Sequence, residues 1–137
     1  MPADAFFDTN VLLYAIARDD PRNALAETLL ASGGTISVQI LNEFAAVARR
    51  KLSMPWREVR KALRAFRVLC PSPLPITVET HDAALRLAEK HGFEIYDALM
   101  VAAALDAGCK ILYSEDFQDG RKIEGRITIR NPFRTRG

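Results

Sequence analysis

Apolar positions recur along the chain with two different periods, and the switches between them outline its elements. Ala5-Phe6-Phe7 is a short apolar run of strand type, and Val11 to Ala17 continues it with helical residues. Pro21 suits a helix start, Ala24, Leu25, Thr28 and Leu29 recur at helical spacing, and Gly33-Gly34 stops the pattern. Thr35-Ile36-Ser37-Val38 predicts a β-branched strand, followed by a helix over Gln39 to Leu52 with Ile40, Phe44 and Val47 on its apolar face. Pro55 opens another helix, with Trp56, Val59, Leu63 and Phe66 expected in the core and Arg57, Arg60, Lys61, Arg64 and Arg67 on the opposite side. The alternating prolines of Pro71-Ser72-Pro73-Leu74-Pro75 forbid a helix and predict an extended connection. Ile76-Thr77-Val78 then predicts a short strand, and Asp82 to His91 a helix closed by Gly92. Asp97 to Ala107 is apolar on nearly every side, which predicts a buried helix. Lys110 to Tyr113 and Arg126 to Ile129 are the last expected strands. Strands alternating with helices predict an α/β fold, a parallel sheet of four or five strands covered on both faces.

A chain of 137 residues that is 49% hydrophobic and 26% charged fits one globular domain over residues 1–137 and disfavours disorder or collagen-like repeats. The longest apolar run, Ala98 to Leu105, is far short of the about 20 residues a spanning helix requires. Met1 to Asp8 lacks the basic stretch and long apolar core of a secretory signal, so a cytoplasmic location without membrane association is expected. Cys70 and Cys109 are too few and too far apart for a disulfide framework or a cysteine-rich zinc site, and they read as small buried hydrophobes. His81 and His91 read as surface residues. The net charge of +2 conceals segregation: residues 1–48 carry −4, 49–67 carry +7, 77–119 carry −6 and 120–137 carry +5. Blocks of that size create local fields that the total does not report.

Sites in open α/β sheets form beyond the carboxyl ends of the strands. Asp8 directly follows the first expected strand, Glu43 lies five residues after Val38, and Asp116 lies three residues after Tyr113. Asp97 opens the apolar helix with Val101 one turn along the same face, and Glu43 is bracketed by Ile40 and Val47. Both acids therefore stand where a core residue is expected. Uncompensated carboxylates there are costly, and four of them brought together repel one another unless a cation neutralises the cluster. An all-oxygen donor set suits a hard ion, Mg²⁺ or Mn²⁺, rather than zinc. The chemistry indicated is phosphodiester hydrolysis by a metal-activated water.

The motifs Phe7-Asp8-Thr9-Asn10-Val11-Leu12, Leu41-Asn42-Glu43-Phe44, Tyr96-Asp97-Ala98-Leu99 and Tyr113-Ser114-Glu115-Asp116-Phe117, closing with Asn131-Pro132-Phe133, resemble those of the PIN-domain nucleases, and most closely VapC-type toxins. The resemblance runs in the same order from about Phe6 to Phe133. It implies a three-layer α/β/α sandwich, Mg²⁺-dependent cleavage of RNA, a cognate VapB-like antitoxin and a homodimer. It also implies that Asp8, Glu43, Asp97 and Asp116 are the metal-binding and catalytic acids, with Asn10 and Ser114 supporting them. Asp119 corresponds only loosely to a further acid and, preceding Gly120, reads as a turn residue.

The stripe of Arg57, Arg60, Lys61 and Arg64 is either a solubilising helix face or a phosphate-tracking surface. Arg49, Arg50 and Lys51 before it, and a tail carrying Arg121, Lys122, Arg126, Arg130, Arg134 and Arg136, favour the second reading, because an acidic centre alone repels a polyanion. Rival readings are an aspartate-based phosphatase or receiver domain, and a PIN-like module that binds RNA or a partner without cutting. Against the phosphatase, Asn10 stands where an Asp-x-Asp motif needs its second acid.

Overall fold

Ala5-Phe6-Phe7 forms a strand because Phe6 and Phe7 are shut away from water and neighbours on both sides supply hydrogen bonds. The computed structural model describes residues 4–134, so Arg136 lies outside the described residues. The elements run β1 (Ala5–Phe7), α1 (Thr9–Ile16), α2 (Asn23–Ala31), α3 (Val38–Arg50), α4 (Trp56–Leu69), α5 (Val78–His91), α6 (Ile95–Asp106), β2 (Ile111–Tyr113), β3 (Lys122–Ile123) and β4 (Ile127–Arg130). The sheet order is β1-β2-β4-β3, parallel except that β3 runs antiparallel to β4. Helices flank this mostly parallel sheet in a three-layer α/β/α arrangement, with α1 to α4 packing among themselves and α5 against α6. Among the described residues no helix is long and apolar enough to cross a membrane.

Strand register decides where the chemistry sits. Phe7 is opposite Tyr113, their rings stacked 5.9 Å apart, so Asp8 and Ser114, each one residue further, leave the sheet side by side. The Asp8 amide donates to the Tyr113 carbonyl (3.0 Å), and the Ser114 amide to that of Arg130 (3.0 Å). Phe6, Leu112 and Ile129 form the sheet's sealed middle, and α6 buries Met100 to Leu105 almost without interruption. Phe44 of α3 meets Phe66 of α4 edge to face at 5.0 Å, locking those two helices together.

Several expectations are corrected. Thr35 to Val38 is no strand. Gly34 lies so close to β1 that a β-carbon there would collide with the Phe7 ring, and the following residues contribute only two isolated bridges, Phe6 with Thr35 and Ser37 with Leu74. Ser37 then accepts from the Ile40 amide and starts α3. Ile76 to Val78 is likewise no strand. Thr77 and Thr80 form a reciprocal cap, so α5 begins at Val78, before the expected Asp82, and side-chain capping outweighs β-branched propensity. Strand β3 has no counterpart in the sequence pattern, since two residues are too few to show a period.

Trp56, expected in the core, is 55% exposed, whereas Val59 and Phe66 are buried as expected. His91 is half-buried rather than on the surface. It stacks on Phe93 at 5.2 Å and faces Glu124 at 3.8 Å. Cys70 and Cys109 are buried and free.

Candidate active site

Asp8 ends β1 and caps α1. One carboxylate oxygen accepts from the Thr9 amide at 2.6 Å, and the other takes the Ser114 hydroxyl at 2.6 Å. Ser114 in turn accepts the Asp116 amide at 3.1 Å, so one serine joins the acid after β1 to the loop that carries the acid after β2. Thr9 donates its hydroxyl to Glu43 at 2.9 Å, and Gln39, one turn earlier on α3, reaches the other Glu43 oxygen at 3.3 Å. Asp97 lies in the first turn of α6. The helix starts before it, at Ile95, with Glu94 as its cap. Of the four buried polar residues among those described, Asp8, Thr9, Ser37 and Ser114, three meet at this one place.

The four acids expected from the sequence, Asp8, Glu43, Asp97 and Asp116, line one cavity of about 480 Å³. Gln39, Arg50, Glu94, Tyr96 and Met100 are also in its wall. Burial pushes the Asp8 carboxyl up from 3.8 to about 8, the Asp116 charge adds to the rise, and the Ser114 and Thr9 donors oppose it. Burial also lifts Asp97 to about 6, with Asp116, Glu94 and Glu43 contributing by repulsion. The cavity is therefore rich in negative charge that the protein alone does not balance, the condition under which a hard cation binds. Among the described residues no three acidic, histidine or cysteine side chains stand in chelating range. The four carboxylates therefore share the cavity wall without forming a closed cluster.

Other expected residues divide. Ser114 donates its hydroxyl to Asp8. Asn10 is half-buried, is not in the cavity wall, and makes no side-chain hydrogen bond among the described residues, whereas its neighbour Thr9 bonds to Glu43. Arg57, Arg60, Lys61 and Arg64 are exposed on α4, outside the cavity wall. The basic tail is largely engaged elsewhere: Arg121 covers the Phe93 ring, Arg126 donates to the Leu105 carbonyl and Arg134 pairs with Asp119. Asp119 also accepts the Asn131 amide and acts as an anchor for the chain's last described segment. A second cavity, about 590 Å³ between α5, α6 and the β3–β4 turn, has mixed charge that is partly self-neutralised by the 2.8 Å Lys90–Glu124 pair.

Sequence reasoning passed over Gln39 and Glu94, and assigned Arg50 to the basic surface rather than to the cavity wall. For Gln39 and Arg50 the pattern was available, because positions 39, 43, 46, 47 and 50 fall on one helical face.

The sequence model of the family described as PIN domain matches residues 5–120, most of the chain and all four acids. The chain belongs to the PIN-domain family. Its PIN fold is similar to three solved structures. Mycobacterium tuberculosis VapC20, described as a sarcin–ricin-loop-cleaving toxin, has TM-score 0.67 and 20% identity over 83% of this chain and 91% of that one. A toxin–antitoxin complex from Klebsiella pneumoniae has TM-score 0.71 and 18% identity over 96% and 99%. VapBC2 from Rickettsia felis, bound to a promoter DNA fragment, has TM-score 0.62 and 19% identity over 91% and 96%. No curated protein is significantly similar to this PIN domain in sequence.

Proposed function

We propose that this PIN domain is a metal-dependent endoribonuclease, the toxin of a VapBC-type pair, with Asp8, Glu43, Asp97 and Asp116 as its metal-binding and catalytic acids. The observation that carries the reading is the cavity shared by these four carboxylates at the end of β1 and β2, with Asp8 held at about 8 by burial. Mg²⁺ or Mn²⁺ held there would polarise the scissile phosphate and lower the pKa of a bound water.

The chain's own residues do the positioning. Ser114 and the Thr9 amide fix both oxygens of Asp8, and Thr9 and Gln39 fix those of Glu43, so neither acid spends free energy on reorientation when substrate arrives. Arg50, which lines the cavity and takes part in none of these bonds, would offer its guanidinium to a phosphate oxygen. The exposed cations of α4 offset the repulsion between an acidic centre and a polyanion. The similarity of the fold to a toxin–antitoxin complex and to VapBC2 supports a VapB-like partner for this chain; a homodimer rests on the motif resemblance alone.

An aspartyl-phosphate mechanism finds less support, because Asn10 stands where an Asp-x-Asp motif needs its second acid. The purified protein should cut RNA with Mg²⁺ or Mn²⁺, a substrate panel including a sarcin–ricin-loop RNA being the starting point. EDTA or Asp8→Asn should lower the rate by at least about a hundredfold. Cleavage by Asp8→Asn at the original rate would overturn the assignment, and retained RNA binding with no cleavage by the unaltered protein would favour a binding module.

A further inference from the structure

Trp56 is the chain's single tryptophan, and it stands in water at the start of α4 with 55% of its surface exposed. An aromatic ring of that size is normally kept largely buried. Its position is not loose. The Arg49 guanidinium lies 4.7 Å from the ring centroid, and the same guanidinium donates to the Met54 carbonyl at 2.8 Å, so the α3–α4 connection holds the cation and the ring together. Arg49 immediately precedes Arg50, which lines the acidic cavity, and Trp56 immediately precedes Arg57, where the exposed cations of α4 begin. Residues 49–67 carry eight basic side chains against the single acid Glu58. A fixed, open indole inside so positive a surface matches the combination that binds single-stranded nucleic acid: cations track the backbone and an aromatic face stacks a base.

We infer that the Trp56–Arg49 pair is a base-stacking platform that receives an unpaired nucleotide flanking the scissile bond, so that the substrate is single-stranded RNA on that side of the cut. The inference rests on the reading of the acidic cavity as the cleavage centre, and it is tested apart from it. A base stacked on Trp56 quenches the protein's only indole, which makes its fluorescence a direct probe.

The full-length Asp8→Asn protein in EDTA, titrated with a short single-stranded oligoribonucleotide, should show saturable quenching. A blunt duplex of the same sequence, or an abasic strand of equal charge, should quench much less. In otherwise unaltered protein, Trp56→Ala should weaken single-strand binding by at least about fivefold, mainly in KM rather than kcat, and Trp56→Phe should restore most of it. Equal quenching by single strand, duplex and abasic strand would overturn the platform, as would unchanged affinity in a folded Trp56→Ala protein. Loss of antitoxin binding by Trp56→Ala with RNA affinity intact would also overturn it, assigning the ring to a protein interface. Quenching by single strands from a protein that never cuts RNA would leave the platform standing and sink the nuclease reading instead.

Discussion

Asp8 combines two properties that oppose each other in a metal-free protein: it is 4% exposed, and its side chain is a carboxyl. Its folded pKa of about 8 lies above the ordinary 3.8, so the folded state binds the proton more tightly than the unfolded chain does. Metal-free stability is then greatest at low pH within this group's range and falls as pH rises from about 4 to about 8. Thermal melts in EDTA across that window should show the fall, Mg²⁺ should reverse it at the alkaline end, and Asp8→Asn should flatten it while abolishing cleavage. A catalytically dead variant more stable than the parent at pH 8 is the expected exchange of function for stability.

Ser114→Ala removes the donor to Asp8 and the acceptor of the Asp116 amide together, and should cost about 1–3 kcal/mol in urea denaturation. It also removes a contact that lowers the Asp8 pKa, so the alkaline loss of stability should extend to higher pH. Much at this scale was legible in the sequence. Glu43 and Asp97 occupy core-type positions of their helices, and an acid there advertises a site. Thr9 was hidden because, lying between Asp8 and Asn10, it reads as one of three equivalent capping residues.

Helix positions were legible wherever a period extends over several turns, as in α3, α4 and α6. Pro55 marked the start of α4, but the starts of α5 and α6 were not legible, because there a start depends on one side chain reaching one amide: Thr77 turns Ile76-Thr77-Val78 from strand to helix entry, and Glu94 starts α6 ahead of Asp97. Trp56 shares the apolar spacing of Val59 and Phe66, but as the first residue of α4 it overhangs the packed stretch, and periodicity carries no information about where the neighbouring surface ends. The packed stretch itself depends on the Phe44–Phe66 contact. Phe66→Ala should cost about 3–5 kcal/mol in chemical denaturation. It should also lower RNA cleavage by loosening α3, which carries Glu43 and Arg50 into the cavity.

Across the whole molecule, the charge blocks of the sequence acquire addresses. Acids from the first and third blocks line one cavity, most of the second block is the exposed face of α4, and three cations of the fourth are engaged in internal contacts with Phe93, Leu105 and Asp119. The block totals alone could not separate the second from the fourth, since both are basic and only pairing distinguishes them. Reversing Arg57, Arg60 and Arg64 to glutamate should therefore weaken RNA binding and flatten its salt dependence, lowering the slope of log K against log salt by about 2 to 3. An unchanged slope would leave that face as solubilising surface.

The register of β1 beside β2 joins residues 106 positions apart, Asp8 and Ser114. On a ribosome, Asp8 is made long before either Ser114 or Asp116 exists. A nascent chain thus lacks the partner of Asp8 for most of its synthesis, and a chain cut short ahead of Ile111 should neither close the sheet nor cleave RNA.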